Sequence, residues 1–203
     1  ARVDAGGSGI KGGVVKGANR SMERVDAALH DWRLATWPTK RATDTSYKRI
    51  LTWAMTPERT RAVRLGVAGQ NLFDIAFAYE LRAARGVEDS VEFEMRSGMA
   101  TGIQEVVRRD TGHLLLYVPV VDPHEFDVAI SCLVRRREEN AAPENFMSGV
   151  FDIATNEDVF ARERDRFLAA LSDVDPDAAV PVPNRGQDRL AERAAGVPAE
   201  QGS

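Results

Sequence analysis

The chain has 203 residues, 43% of them hydrophobic and 29% charged, with a formal net charge of −4 and an isoelectric point near 5.5. That size carries one domain-sized core or two smaller ones, and the acidic balance argues against a general attraction to nucleic acid or an anionic membrane while leaving room for a local arginine site. A single cysteine, Cys132, excludes an internal disulfide framework and fits a reducing compartment; no apolar run approaches the ~20 residues of a membrane span, and ARVDAGGSGIKGG lacks a signal-peptide core.

The elements alternate along the chain. IKGGVVK (10–16) is a strand signal, followed by a helical stretch from Asn19 to His30 on which Met22, Val25 and Leu29 recur at helical spacing. A loop with two tryptophans leads to a helix expected from Thr45 to Met55, with Thr43 and Asp44 as caps. AVRLGVAG (62–69) reads as the second strand and runs into an amphipathic helix closed by Gly86. SVEFEM (90–95) is the third strand, with a helix from about Ala100 to Asp110, and HLLLYVPVV (113–121) is the fourth. Pro123 opens a helix running to about Asn140, on which Cys132 is expected as a buried, inert thiol. A short helix and a charged one follow, and residues 175–203 read as linker or disordered tail.

Four strand–helix units with short connections and Val-, Leu- and Phe-rich strands indicate an α/β fold with parallel strands. An open doubly wound sheet and a (β/α) barrel share this pattern. Polar residues at successive strand ends (Lys16, Gln70, Glu94, Tyr117) lean towards a barrel, whose sites are built there.

The chemistry-bearing candidates are few. LVRRREEN (133–140) holds Arg135 and Arg136, about 100° apart on a helix, with Glu139 three or four residues on. A solvent-facing salt-bridged face is the plainer reading; the sharper one directs both guanidiniums at a carboxylate. Tyr117 reads as a core tyrosine or as a ring stacked on a ligand, and Lys16 as a surface lysine or a strand-end lysine facing a site. GGxxKGA lacks the spacing of a phosphate loop, there is no GxSxG elbow, and His30, His113 and His124 form no metal-binding pair.

KGANRSMERV (16–25), TWPTKRATDTSYKRIL (36–51), RLGVAGQNLFDIAFA (64–78), VEFEMRSGMA (91–100), LLLYVPVV (114–121) and AISCLVRRREENAAPENF (129–146) resemble proline dehydrogenase. The similarity is to the proline dehydrogenase part of bacterial bifunctional proline utilisation A proteins, from about Ile10 to Phe151; PNRGQDR (183–189) is similar to the segment joining that part to the aldehyde dehydrogenase domain. The resemblance implies a distorted (β/α)8 TIM barrel holding FAD, of which this chain supplies strands five to eight as residues 1–153, followed by a helix at 154–174. It implies oxidation of L-proline to Δ1-pyrroline-5-carboxylate, with electrons passed to a membrane quinone by a cytoplasmic protein peripheral to the inner membrane, and a fused or associated L-glutamate gamma-semialdehyde dehydrogenase.

By the same resemblance, Arg135 and Arg136 would bind the proline carboxylate, Glu139 would pair with them and order the cofactor end, and Tyr117 would pack on the proline ring. Lys16 with Gly17 and Ala18, Thr39, Lys40, Gln70, Asn71 and Glu94 would face the flavin, its phosphates or its adenosine. Three positions depart from the family. Gly13 stands where an arginine is usual, Gln70 where a histidine is, and Arg96 where a leucine is. Strands one to four have no counterpart, so the expectation is a fragment of a longer protein or the product of a truncated gene. Two open sheet edges and an apolar interior face would remain, which a partner half or a second copy would cover. A non-catalytic, degenerate half-barrel serving as an interaction module is the alternative.

Overall fold

The computed structural model describes residues 3–17, 20–32 and 34–175. They fall into two compact units, one of residues 3–17 and 39–175 and one of residues 20–32 and 34–38.

In the larger unit, β1 (Ile10–Val14), β2 (Val63–Ala68), β3 (Val91–Arg96) and β4 (Leu114–Tyr117) form one four-stranded sheet in the order β1-β2-β3-β4. Every pairing is parallel, as strands joined by helical crossovers require. Alternation along the strands separates two faces. Leu65, Val67, Val91, Phe93 and Met95 are buried on one. They share a core with Tyr47 and Leu51 of α2 (Lys40–Ala54), Ile75 and Ala78 of α4 (Leu72–Ala84) and Val107 of α5 (Thr101–Thr111).

The opposite face carries Lys11, Arg64, Glu92, Glu94, Arg96 and Tyr117. The expectation of an apolar interior face is therefore corrected: this face is charged. Lys11 forms ion pairs with Glu92 and, at 2.5 Å, with Glu94. Glycine on β2 makes room for the buried carboxylate, because a Cβ at Gly66 would stand 2.0 Å from Glu94 Oε1.

Helix α2 begins five residues before its expected start. Thr39 is the N-cap, its side chain accepting from the Ala42 amide at 3.1 Å. Asp44 does not cap, because its carboxylate is taken by Lys16 and Lys40, each at 2.5 Å. Lys16 also pairs with Asp74 of α4, and Asp74 pairs at 3.0 Å with Lys48 of α2. Lys48 is 1% exposed, and its ammonium stands 4.5 Å from the Phe167 ring centroid. Phe167 lies on α7 (Glu157–Ser172), where it also meets Phe73 and Phe77 of α4. Arg41 and Asp173 join α2 to the end of α7 with bonds of 2.5 and 2.6 Å.

Helix α6 (Phe126–Ala141) buries none of its residues; Phe126, Val128 and Leu133 are exposed and Cys132 is half-buried rather than sealed in the core as expected. In the smaller unit, α1 (Arg20–Leu29) has the expected span, yet Met22, Val25 and Leu29 are exposed. The His30 and Trp32 rings stack there at 4.4 Å. The tail reading falls on residues 176–203, outside the described residues.

Two predictions follow from this packing. Leu51 has no exposed surface, so Leu51→Ala should lower the free energy of unfolding by about 2–5 kcal/mol in denaturant titrations. Burial pushes the Asp44 carboxyl up, but the Lys16 and Lys40 ammoniums outweigh it and hold its pKa below the ordinary 3.8. A depressed folded-state pKa means that the ion pairs stabilise the fold fully above pH 3.8 and that this contribution is lost as the pH falls below it. Asp44→Asn should therefore lower the thermal midpoint at pH 7 and shrink the gap to the native protein in strong acid.

Candidate active site

A cavity of about 480 Å³ lies at the C-terminal ends of all four strands, the size range of a small-molecule site. β1 and its following residues contribute Gly13, Lys16 and Gly17; β2 leads to Gln70 and Asn71; β3 brings Glu94 and Arg96; β4 brings Tyr117. Helix α6 adds Arg136, Glu139 and Asn140.

The floor is ionic. Lys16 sits between Asp44 and Asp74 and 5.2 Å from the centroid of the Tyr47 ring. Burial works against its charge, but the two carboxylates outweigh burial and raise its pKa above the ordinary lysine value. Lys40 also lines the cavity. Burial, then the neighbouring Lys16 charge, hold its pKa below the ordinary value despite its pairing with Asp44. The Tyr47 hydroxyl donates to the Ala68 carbonyl at 3.1 Å, and burial followed by the Asp74 and Glu94 charges pushes its pKa strongly up. Tyr47 is thus a neutral donor at every working pH.

At the rim, the Tyr117 ring is half exposed. The neighbouring Glu94 carboxylate raises its phenol pKa. The C-terminal end of α6 is held by side-chain amides: Asn145 donates to the Glu139 carbonyl at 2.9 Å, and Asn140 Nδ2 meets Met99 Sδ at 3.8 Å. Burial raises the Glu139 pKa, and the charges of Arg96, Arg135 and Arg136 oppose that rise.

Of the residues expected from sequence, Lys16, Gly17, Lys40, Gln70, Asn71, Glu94, Tyr117, Arg136 and Glu139 line this one cavity. Arg135 is half-buried but is not among the lining residues. Thr39 is the α2 cap and does not line the cavity. Ala18 lies outside the described residues. The Asn71 side chain caps α4 by accepting from the Phe73 amide at 3.0 Å, so its carbonyl oxygen is committed to the helix. Sequence reasoning missed Asp74, Tyr47, Lys48 and Lys11. The available signal was charge on the core-facing stripe of α2, where Lys40, Asp44, Lys48 and Leu51 follow at helical spacing.

The donor set suits a flavin. Gln70 Nε2 is buried with no hydrogen-bond partner, an unspent donor of the type that ring carbonyls and ring nitrogens accept. Lys40 offers a cation shared with a single carboxylate. At Gly17, with φ +80°, nothing lies within 4 Å of where a Cβ would be, leaving backbone open to a ligand.

A family model described as proline dehydrogenase matches residues 2–149. No curated protein matches the chain. Among solved structures, proline utilization A from Corynebacterium freiburgense is similar at 38% identity and a TM-score of 0.73, over 91% of this chain and 17% of that one. Proline utilization A from Bdellovibrio bacteriovorus, inactivated by N-propargylglycine, matches at 21% identity and a TM-score of 0.69, over 91% and 18% of the two chains; at that identity it speaks for the fold alone. The chain thus spans 17% of the length of the Corynebacterium protein. With the family model covering residues 2–149, the chain belongs to the proline dehydrogenase family.

Proposed function

We propose that the chain forms part of the active site of an FAD-dependent proline dehydrogenase that oxidises L-proline to Δ1-pyrroline-5-carboxylate, within a proline utilisation A type protein. The observation that carries this reading is the convergence of Arg136, Tyr117 and a buried lysine floor on one cavity in a chain of this family. In this reading the four strands are the fifth to eighth of a (β/α)8 barrel.

Proline presents one carboxylate, one ammonium and an apolar ring. The Arg136 guanidinium meets the carboxylate with its planar fork. The exposed Tyr117 ring covers the apolar ring, with the Glu94 carboxylate acting on its hydroxyl. Glu139 supplies one anion to the arginine cluster. Gln70, Lys40 and the open backbone at Gly17 would hold the flavin. When bound, the flavin supplies the acceptor for the hydride leaving proline C5, while the nitrogen proton goes to solvent and the C=N bond forms. The chain's residues contribute position and electrostatics, and no nucleophile is needed. Electrons then pass to a membrane quinone, and an associated aldehyde dehydrogenase domain takes the product onward to glutamate. In this reading the protein works in the cytoplasm, peripheral to the inner membrane where the quinone lies.

The full-length protein containing this chain should be yellow, and its visible absorbance should bleach anaerobically on adding L-proline. Colourless protein, or a spectrum unmoved by proline, contradicts the proposal. Arg136→Ala should weaken proline use by about 2–5 kcal/mol in kcat/KM, the cost of losing a desolvated charge contact. Arg135→Ala should cost less, because Arg135 does not line the cavity. Equal losses would contradict that assignment.

A further inference from the structure

Arg96 is the last residue of β3 and is paired in register with Tyr117. It faces the same cavity as Arg136, which arrives from α6. The two elements are held together locally. Gln104 Nε2 donates to the Arg96 carbonyl at 2.6 Å and to the Met99 carbonyl at 2.7 Å. Met99 in turn meets Asn140 of α6. The turn from β3 into α5 uses left-handed backbone at Gly98 and at Ala100, with φ +76° and +49°, so Arg96 is set by a fixed loop.

Among the described residues, no salt bridge joins Arg96, Arg135 or Arg136 to a carboxylate. Glu139 acts on all three arginines. Arg96 and Arg136 bring two cations to this part of the cavity lining, and Glu139 is the anion that acts on both. A guanidinium cannot shed its proton to relieve this. Burial, then the Arg136 charge, lower the Arg96 pKa; the second of these is a like-charge repulsion that an incoming anion would offset.

We infer that Arg96 and Arg136 together make a two-guanidinium anion grip that suits the cavity to a small dicarboxylate over the matching monocarboxylate. The inference rests on the proposed function for the location of the substrate site, and it makes Arg96 a residue that sets specificity there.

Isothermal titration of the full-length protein with succinate and with butyrate, at fixed ionic strength, tests it. The two ligands share a four-carbon chain and differ by one carboxylate. Succinate should bind about tenfold tighter, the size of one added charge-assisted contact. Arg96→Leu should reduce the ratio to about twofold or less, while Arg137→Leu, at an exposed position of α6 beside Arg136, should leave it unchanged. Arg96→Gln, neutral but polar, gives the same reading if the leucine variant fails to fold. Equal binding of succinate and butyrate to the native protein, or a ratio that survives loss of Arg96, overturns the inference. Proline-dependent bleaching without succinate preference would sink this inference alone. Succinate preference through Arg96 without bleaching would sink the dehydrogenase reading alone.

Discussion

Asp74 holds two lysines from two different elements. Its side chain is 4% exposed, with Lys16 from the end of β1 on one oxygen and Lys48 from α2 on the other. Taking these charges out of water is costly, and the arrangement persists only because each charge has a partner. The result is a rigid joint between strand end, α2 and α4. Asp44 extends the joint to Lys40, and Phe167 of α7 closes it from outside. The cavity floor is therefore part of the same structure that docks the helices, so folding and site assembly share their interactions.

The sheet divides the labour between its faces. One face is apolar and anchors the helices. The other is charged, with Lys11 neutralising Glu92 and Glu94, and Gly66 leaving space for the Glu94 carboxylate. Position 13, where the family usually has an arginine, is a glycine, and a Cβ there would stand 3.8 Å from Glu94 Oε2. Lys11, two residues earlier on the same face, supplies a cation to that carboxylate.

Much of this was legible in the sequence because period and punctuation agree. The four strands, the helices between them and the clustering of polar residues at strand ends all follow from apolar spacing and glycine stops. The start of α2 was not legible, because Asp44 looks like a cap when read locally and is instead captured by lysines distant in the chain. The buried lysines were missed for a related reason: charge on a helix is read as solvent-facing unless its stripe is compared with the apolar one. Arg135 and Arg136 separated as helical geometry requires, since adjacent residues diverge by about 100°; the resemblance joined what azimuth divides. The charged sheet face was misread because alternation reveals which residues share a face, not whether that face is dry.

The joint at Asp74 can be observed directly. Nitrogen-15 NMR of the lysine ammonium groups, followed through a pH titration, reports the protonation of Lys16 itself. The account requires the Lys16 ammonium to persist beyond its ordinary titration at pH 10.5 and to titrate earlier in Asp74→Asn. A Lys16 signal that titrates at or below 10.5, unchanged by Asp74→Asn, would mean that the charged floor is not built this way.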